Sequence, residues 1–271
     1  KAGFRVIAPD MRGYGETDSP SEIDQYDIKH LTADMVGILD ALGETTASIV
    51  GHDWGAPGAT YSALFYPERF TRLVIMSVPY SGRQDQNPME GMKAAFQDNF
   101  FYILYHNEPN GVAEKEYDKD PRGLISRFYQ SPDSPRKPPK ITDSKRSAGG
   151  FLPRIGEAEG LPAWFSEEDL DYVVGQFEQS GFRGGVNYYR NIERNWKLTE
   201  DLKDHNIKVP TLFLAGSQDM VIAGASKESL ESSMKEAIPL LEEVILLPNI
   251  GHWVQQEAAE QTNSILIDFL K

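Results

Sequence analysis

The sequence has no cysteine, far more acidic than basic side chains, and no long apolar run. Without cysteine the protein can form no disulfide and offers no thiolate metal ligand or thiol nucleophile. Its net charge of -14 argues against binding to the phosphate backbone of nucleic acids. No stretch approaches the roughly 20 apolar residues of a membrane-spanning helix. What remains is a globular protein whose 271 residues suffice for a large core and one or two domains.

The first residues show no secretory leader, and on that ground we predict a cytoplasmic location. However, the chain begins with Lys1 rather than Met, in a segment that resembles the end of a helix running into a strand. We therefore expect the N-terminus to be truncated, which weakens any inference about location.

Strand and helix patterns alternate in the first part of the chain. Buried strands are predicted at 4–9, 47–50 and 72–79, and helices at 26–42 and 55–65. This β-α-β-α-β order predicts a parallel sheet with right-handed crossovers.

The pattern then changes to a long aromatic, loop-rich and helical stretch without a comparable strand. Strands resume at 209–216 and 243–247, and an amphipathic helix closes the chain at 255–270. A sheet interrupted in this way predicts an α/β core with an inserted helical lid, and a pocket is favoured where the two meet. The predicted core comprises 1–82 and 206–271, and the predicted lid 83–205.

Residues 51–55 have the spacing of a nucleophile elbow, a sharp turn between a strand and a helix. Gly51 and Gly55 are expected because a side chain at either position would collide with the turn or the following helix. The nucleophile position holds Asp53. A carboxylate is ionised at neutral pH, and it can attack an sp3 carbon that carries a leaving group to form an alkyl ester. Taken alone, the same pattern is also typical of a loop with a helix-capping aspartate.

Two polar residues, Asp219 and His252, each follow a predicted strand at the edge where open α/β sheets place their sites. A single aspartate there is usually a turn residue, and a single histidine is usually structural. Together with Asp53, however, they give the order nucleophile, acid, base. His252 would take a proton from the water that attacks the ester, and Asp219 would orient the imidazole. His52 is predicted to support the elbow. The other histidines lack this context: His30, His106 and His205.

Several motifs together resemble the soluble epoxide hydrolases. They are the elbow at 51–56, the Gly-rich loop at 9–15, the turn at Asp219 and the segment 251–253. This resemblance covers nearly the whole chain, and it implies an α/β-hydrolase fold. It also implies that Asp53 is the nucleophile and that His252 acts with Asp219.

The resemblance continues through the lid, where 102–105 and 183–191 are similar to the family's two lid-tyrosine segments. It implies that Tyr102 and Tyr189 donate hydrogen bonds to the epoxide oxygen, with Tyr105 as the alternative to Tyr102. Such donors suit the chemistry because one is typically worth roughly 3 kcal/mol when charge develops on oxygen. The predicted substrate-binding residues are Trp54, Tyr105 and Tyr188, although Tyr188 is also expected to pack. The Trp54 backbone N–H should help to bind the ester oxyanion.

The sequence departs from the family in two ways. It has no His-Gly-x-Pro turn, which supplies a second oxyanion N–H in that family. It also lacks the strands expected before Phe4, a deficit of about 50 residues. By analogy the missing third strand would lie between the 4–9 strand and the 47–50 strand. Its absence would leave a gap and an open edge in the sheet, and this chain by itself is then expected to be inactive.

Three hypotheses for the function therefore remain: an epoxide hydrolase, a haloalkane dehalogenase, or an inactive hydrolase-fold protein that binds an apolar ligand. A serine esterase is disfavoured because Asp53 occupies the nucleophile position. The predicted partner is a small apolar epoxide, with no cofactor, metal or nucleic acid. The sequence does not distinguish a monomer from a homodimer.

Overall fold

The computed structural model describes residues 2–271, which divide into two compact units. The sheet unit comprises 2–5, 28–83 and 198–271, and the helical unit comprises 6–27 and 84–197. This division differs from the predicted core and lid mainly in 6–27, which belongs with the helical unit.

Within residues 2–271 there are four strands and twelve α-helices. The strands are β1 (Ala47–His52), β2 (Phe70–Met76), β3 (Thr211–Gly216) and β4 (Leu241–Leu247). The helices are α1 (Ile28–Leu42), α2 (Gly55–Phe65), α3 (Pro88–Phe96), α4 (Tyr102–His106), α5 (Val112–Tyr117), α6 (Pro121–Phe128), α7 (Glu167–Ser180), α8 (Arg183–Arg190), α9 (Ile192–Leu198), α10 (Lys227–Lys235), α11 (Val254–Glu257) and α12 (Ala259–Leu270).

All four strands of the sheet unit are parallel, in the spatial order β1-β2-β3-β4. Helices cover both faces, so β3 is buried along its whole length, and its residues after Thr211 are all apolar or glycine. On β2, Leu73 and Ile75 pack with α2 and α10, while Val74 and Met76 face α12. Because the four strands are parallel, their carboxyl ends lie at one edge of the sheet.

The segment 4–9 forms no strand, so the strand prediction there was wrong. Its apolar side chains are largely exposed, and Val6 retains 82% of its accessible surface. An apolar run becomes a strand only if its backbone groups pair with a neighbour. Among residues 2–271, β1 pairs with β2 alone and has an open outer edge, as the sequence led us to expect.

The helical unit has its own core, built mainly from aromatic and branched side chains of α4 to α8. Helix α7 begins at a capping box in which Ser166 and Asp169 each bond the other's backbone N–H. The predicted serine cap and acidic first turn are thus confirmed.

Candidate active site

Asp53 lies at the sharp turn between β1 and α2, with a left-handed φ of 50°. Few residues other than glycine adopt this conformation, which costs on the order of 1 kcal/mol or more. The turn is closed by a hydrogen bond of 3.0 Å from Ala56 N–H to the Asp53 carbonyl. It presents the carboxylate 39% exposed, beside the N-terminus of α2, where the helix dipole favours negative charge.

Only one of the two elbow glycines is required by close contact. A Cβ at Gly51 would lie 2.0 Å from the Gly55 carbonyl oxygen, whereas a Cβ at Gly55 would meet nothing within 4 Å. The predicted collision is therefore present at Gly51 and wrong for Gly55.

These contacts predict opposite outcomes for two alanine substitutions. Gly51→Ala should lower the free energy of unfolding by about 1–3 kcal/mol, because the backbone of α2 must shift. Gly55→Ala should be neutral or stabilising by up to about 1 kcal/mol, because alanine favours the helix. Urea unfolding of both variants measures the difference, and equal destabilisation would contradict this account of the elbow.

Three side chains meet at the carboxyl ends of the strands. His252 Nε2 lies 3.4 Å from Asp53 Oδ2, and Nδ1 lies 3.1 Å from both carboxylate oxygens of Asp219. Asp219 is buried and also accepts a hydrogen bond of 2.9 Å from Val221 N–H. The imidazole therefore bridges an accessible carboxylate and a buried one.

This arrangement favours a charged imidazole. Burial opposes protonation, but hydrogen bonds and charge from Asp219 and Asp53 prevail and raise the pKa of His252 to about 9. Burial, partial at Asp53 and complete at Asp219, likewise opposes ionisation of both carboxyls, yet the bonds and charge of His252 lower the pKa of each. At neutral pH the site is an imidazolium between two carboxylates.

The raised pKa of His252 predicts how stability depends on pH. The folded value of about 9 lies above the ordinary 6.5, so the stabilisation is complete below about pH 6.5 and is lost as the pH rises through 9. The loss should be on the order of 3 kcal/mol. Urea unfolding at about pH 6, 8 and 10 measures it. His252→Gln should remove this component, and an identical pH profile in that variant would contradict it.

Two residues outside the predicted triad hold the histidine loop. The His252 carbonyl accepts hydrogen bonds from His52 Nε2 at 2.8 Å and from Ser77 Oγ at 3.3 Å. Gln255 Nε2 donates to His52 Nδ1 at 3.2 Å, so the proton of His52 lies on Nε2. Burial, then the charge of His252, lowers the pKa of His52 and keeps it neutral. The support role predicted for His52 agrees with these contacts.

Ser77 was missed in the sequence. It is fully buried, has a left-handed φ of 69°, and its hydroxyl also helps to lower the pKa of Asp219. The available signal was a polar residue directly after the apolar run of β2.

The Trp54 backbone N–H hydrogen-bonds to the Asp53 carboxylate, and this contact also lowers the pKa of Asp53. The same N–H can stabilise negative charge on an oxygen bonded to that carboxyl carbon.

The helical unit brings two of the predicted tyrosines together. The rings of Tyr102, at the start of α4, and Tyr189, in α8, meet edge to face with centroids 5.7 Å apart. Tyr105 instead donates to Glu116 Oε2 at 2.9 Å, and the buried Tyr188 donates to the Arg12 carbonyl at 3.0 Å. Of the two alternatives for the first lid tyrosine, Tyr102 lies against Tyr189, whereas the Tyr105 hydroxyl is bonded to Glu116.

Among residues 2–271, no three or more His, Asp or Glu side chains are grouped so as to hold a metal ion. None of the helices in this part of the chain combines the length and apolar character needed to cross a membrane.

Comparison with known proteins places this chain in a family. The family model described as alpha/beta hydrolase fold matches residues 1–259. Epoxide hydrolase A of Mycobacterium tuberculosis is 40% identical over 99% of this chain and 82% of its own length. Epoxide hydrolase 1 of Siraitia grosvenorii is 38% identical over 99% and 83%.

A solved structure agrees. The crystal structure of epoxide hydrolase A from Mycobacterium thermoresistibile superposes with a TM-score of 0.90 at 42% identity, covering 99% of this chain and 83% of that one. The predicted fold class and the family resemblance are both confirmed. The chain therefore belongs to the epoxide hydrolases of the α/β-hydrolase fold.

Proposed function

We propose that this protein hydrolyses epoxides to vicinal diols through an alkyl ester on Asp53. The observation that carries the proposal is the imidazole of His252 held between Asp53, at the elbow, and the buried Asp219. In the first step an Asp53 oxygen attacks a ring carbon of the epoxide. A carbon–oxygen bond to the enzyme forms as the ring carbon–oxygen bond breaks.

Tyr102 and Tyr189 assist this step by donating hydrogen bonds to the ring oxygen, and one of them transfers its proton. The contact between their rings supports a shared role. Phenols suit the task because they can both donate and release a proton. Tyr102 also packs against Phe101 and Phe151, which supports an apolar substrate.

Ester formation prepares the second step. It removes the negative charge of Asp53, so His252 loses one of the two carboxylates that raise its pKa. The imidazolium can then return its proton to the tyrosinate. Neutral His252 becomes a general base, with Asp219 holding its Nδ1–H.

Water completes the cycle. His252 takes a proton as the water oxygen attacks the ester carbonyl, and the Trp54 N–H stabilises the resulting oxyanion. Collapse releases the diol, which takes the remaining carboxyl proton. Asp53 is again a carboxylate and His252 again an imidazolium.

The proposed reaction is tested directly by identifying the product. Incubated with styrene oxide, the protein should form the diol. Incubated with a haloalkane of similar size, it should release little halide. Halide release exceeding diol formation would instead establish a dehalogenase, and no turnover of either substrate would favour a binding protein.

Phenylalanine substitutions test the two tyrosines. Tyr102→Phe and Tyr189→Phe should each slow ester formation by about 10²-fold, because each loses one donor to the developing oxyanion. Rapid-mixing single turnovers give the rates of ester formation and hydrolysis separately. Tyr105→Phe is the matched control, since its hydroxyl bonds Glu116. A larger loss in Tyr105→Phe than in Tyr102→Phe would reverse their assignment.

A further inference from the structure

The helices that carry the two tyrosines are joined by reciprocal hydrogen bonds. Arg190, the last residue of α8, donates from Nε to the His106 carbonyl at 3.0 Å, at the end of α4. Asn107, directly after α4, donates from Nδ2 to the Tyr189 carbonyl at 3.2 Å. The same Nδ2 donates to the Ile103 carbonyl at 2.9 Å. Each helix therefore supplies a donor to a carbonyl at the end of the other. The last carbonyls of a helix have no N–H donor within that helix and are bonded by such outside donors.

The Arg190 guanidinium is itself held rigidly. It forms a bidentate pair with Glu114 of α5, with distances of 2.8 and 2.6 Å, and bonds Asn187 Oδ1 at 3.0 Å. The two side chains are only 10% and 9% exposed. Burial opposes ionisation of Glu114, but its bonds to Arg190 lower the pKa of that carboxyl. A buried bidentate pair has one geometry, so α4, α5 and α8 share one anchor.

A neutral histidine, His106, packs against the rings of both tyrosines. The His106 ring packs 4.3 Å from that of Tyr189 and 5.7 Å from that of Tyr102, measured between centroids. Burial, followed by the charge of Arg190, lowers the pKa of His106 to about 3 and keeps it neutral. Its Nε2 is paired with the Tyr117 hydroxyl at 2.8 Å. The ring fixes the positions of both phenols without adding a charge beside them.

We propose that Arg190 and Asn107 are positioning residues that set the spacing of Tyr102 and Tyr189, so that both hydroxyls reach one epoxide oxygen. This inference rests on the proposed function. Neither residue is assigned any contact with the substrate. Each acts through the backbone at the ends of α4 and α8, where a displacement of about 1 Å can lower the rate about 10²-fold.

Arg190→Lys and Asn107→Leu test the proposal. Lysine can keep a charge near Glu114 but loses the fork that also reaches the His106 carbonyl. Leucine keeps the approximate size of asparagine without its donors. Each variant should slow ester formation from styrene oxide by about 10- to 100-fold and leave ester hydrolysis within about twofold of the wild type.

The matched control is Arg194→Lys. Arg194 also pairs with a carboxylate, Asp27, in the same unit, but its side chain is 46% exposed and its Nε donates to Asp27 rather than to a carbonyl at the end of α4 or α8. It should leave both rates unchanged. Equal slowing of both steps in Arg190→Lys, or slowing in the control, would overturn the positioning role in favour of general destabilisation.

A double-mutant cycle isolates the route through Tyr189. In a Tyr189→Phe background, Arg190→Lys should slow ester formation by less than about threefold, since only the Tyr102 hydroxyl remains and no spacing between two donors has to be kept. A full effect in that background would contradict the proposal. If Arg190→Lys does not fold, as judged by circular dichroism, the same comparison is made with Asn107→Leu. This variant should also slow ester formation by less than about threefold in the Tyr189→Phe background. Failure of the proposed function would appear differently, as absence of turnover in the wild type.

Discussion

Asp53→Ala is expected to abolish diol formation from styrene oxide, lowering the turnover rate by at least about 10⁴-fold. The reason is chemical, because alanine offers no oxygen to attack the epoxide carbon. Chromatography of the product measures the loss. His205→Gln, at an exposed histidine in the same unit, is the control and should keep the wild-type rate.

The route of the water oxygen distinguishes covalent catalysis from direct attack. In one turnover in ¹⁸O-labelled water, with enzyme in excess, the label should enter the Asp53 carboxylate. The first diol should carry an oxygen from Asp53 instead. Mass spectrometry of the diol and of the peptide containing Asp53 reads both outcomes. Label found directly in the first diol would exclude the ester.

His252→Gln should separate the two half-reactions. Asp53 remains a carboxylate in this variant and can still be alkylated, but no base activates water. Ester hydrolysis should fall by about 10²- to 10⁴-fold. Intact-mass measurement should show the protein gaining the mass of one epoxide, located on Asp53 by peptide mapping. A variant that turns over at the wild-type rate would refute the role of His252 as base.

The positions of Asp53, Asp219 and His252 could be predicted because topology fixes them. Each follows a strand, and parallel strands bring their carboxyl ends to one edge of the sheet. This is why Asp219 and His252, 33 residues apart in sequence, lie within 3.1 Å. The elbow helix α2 was predicted with its observed bounds because its signals are local: an apolar run, a glycine and a helical pattern.

The misses have the opposite cause, since each depends on the surroundings of a residue in the folded structure, which the local sequence does not contain. The run at 4–9 looks like a strand, but pairing requires a neighbour that a local pattern does not contain. Gly55 fits the elbow motif, yet only the packed structure shows that its Cβ would meet open space. Arg190 and Glu114 are 76 residues apart in the sequence, so no local sequence pattern predicts that they pair. Ser77 contributes to the site through a hydrogen bond to the His252 carbonyl, which is 175 residues away in the sequence.

The open outer edge of β1 has a practical consequence. Among residues 2–271 no strand pairs with this edge, so its N–H and C=O groups can pair with a strand from a second molecule, and the Val50 side chain is partly accessible to water. Natural sheets commonly guard such edges with lysine or proline, and β1 contains neither. Self-association that increases with protein concentration is therefore to be expected in preparations of these 271 residues, and Val50→Lys is the natural substitution to oppose it.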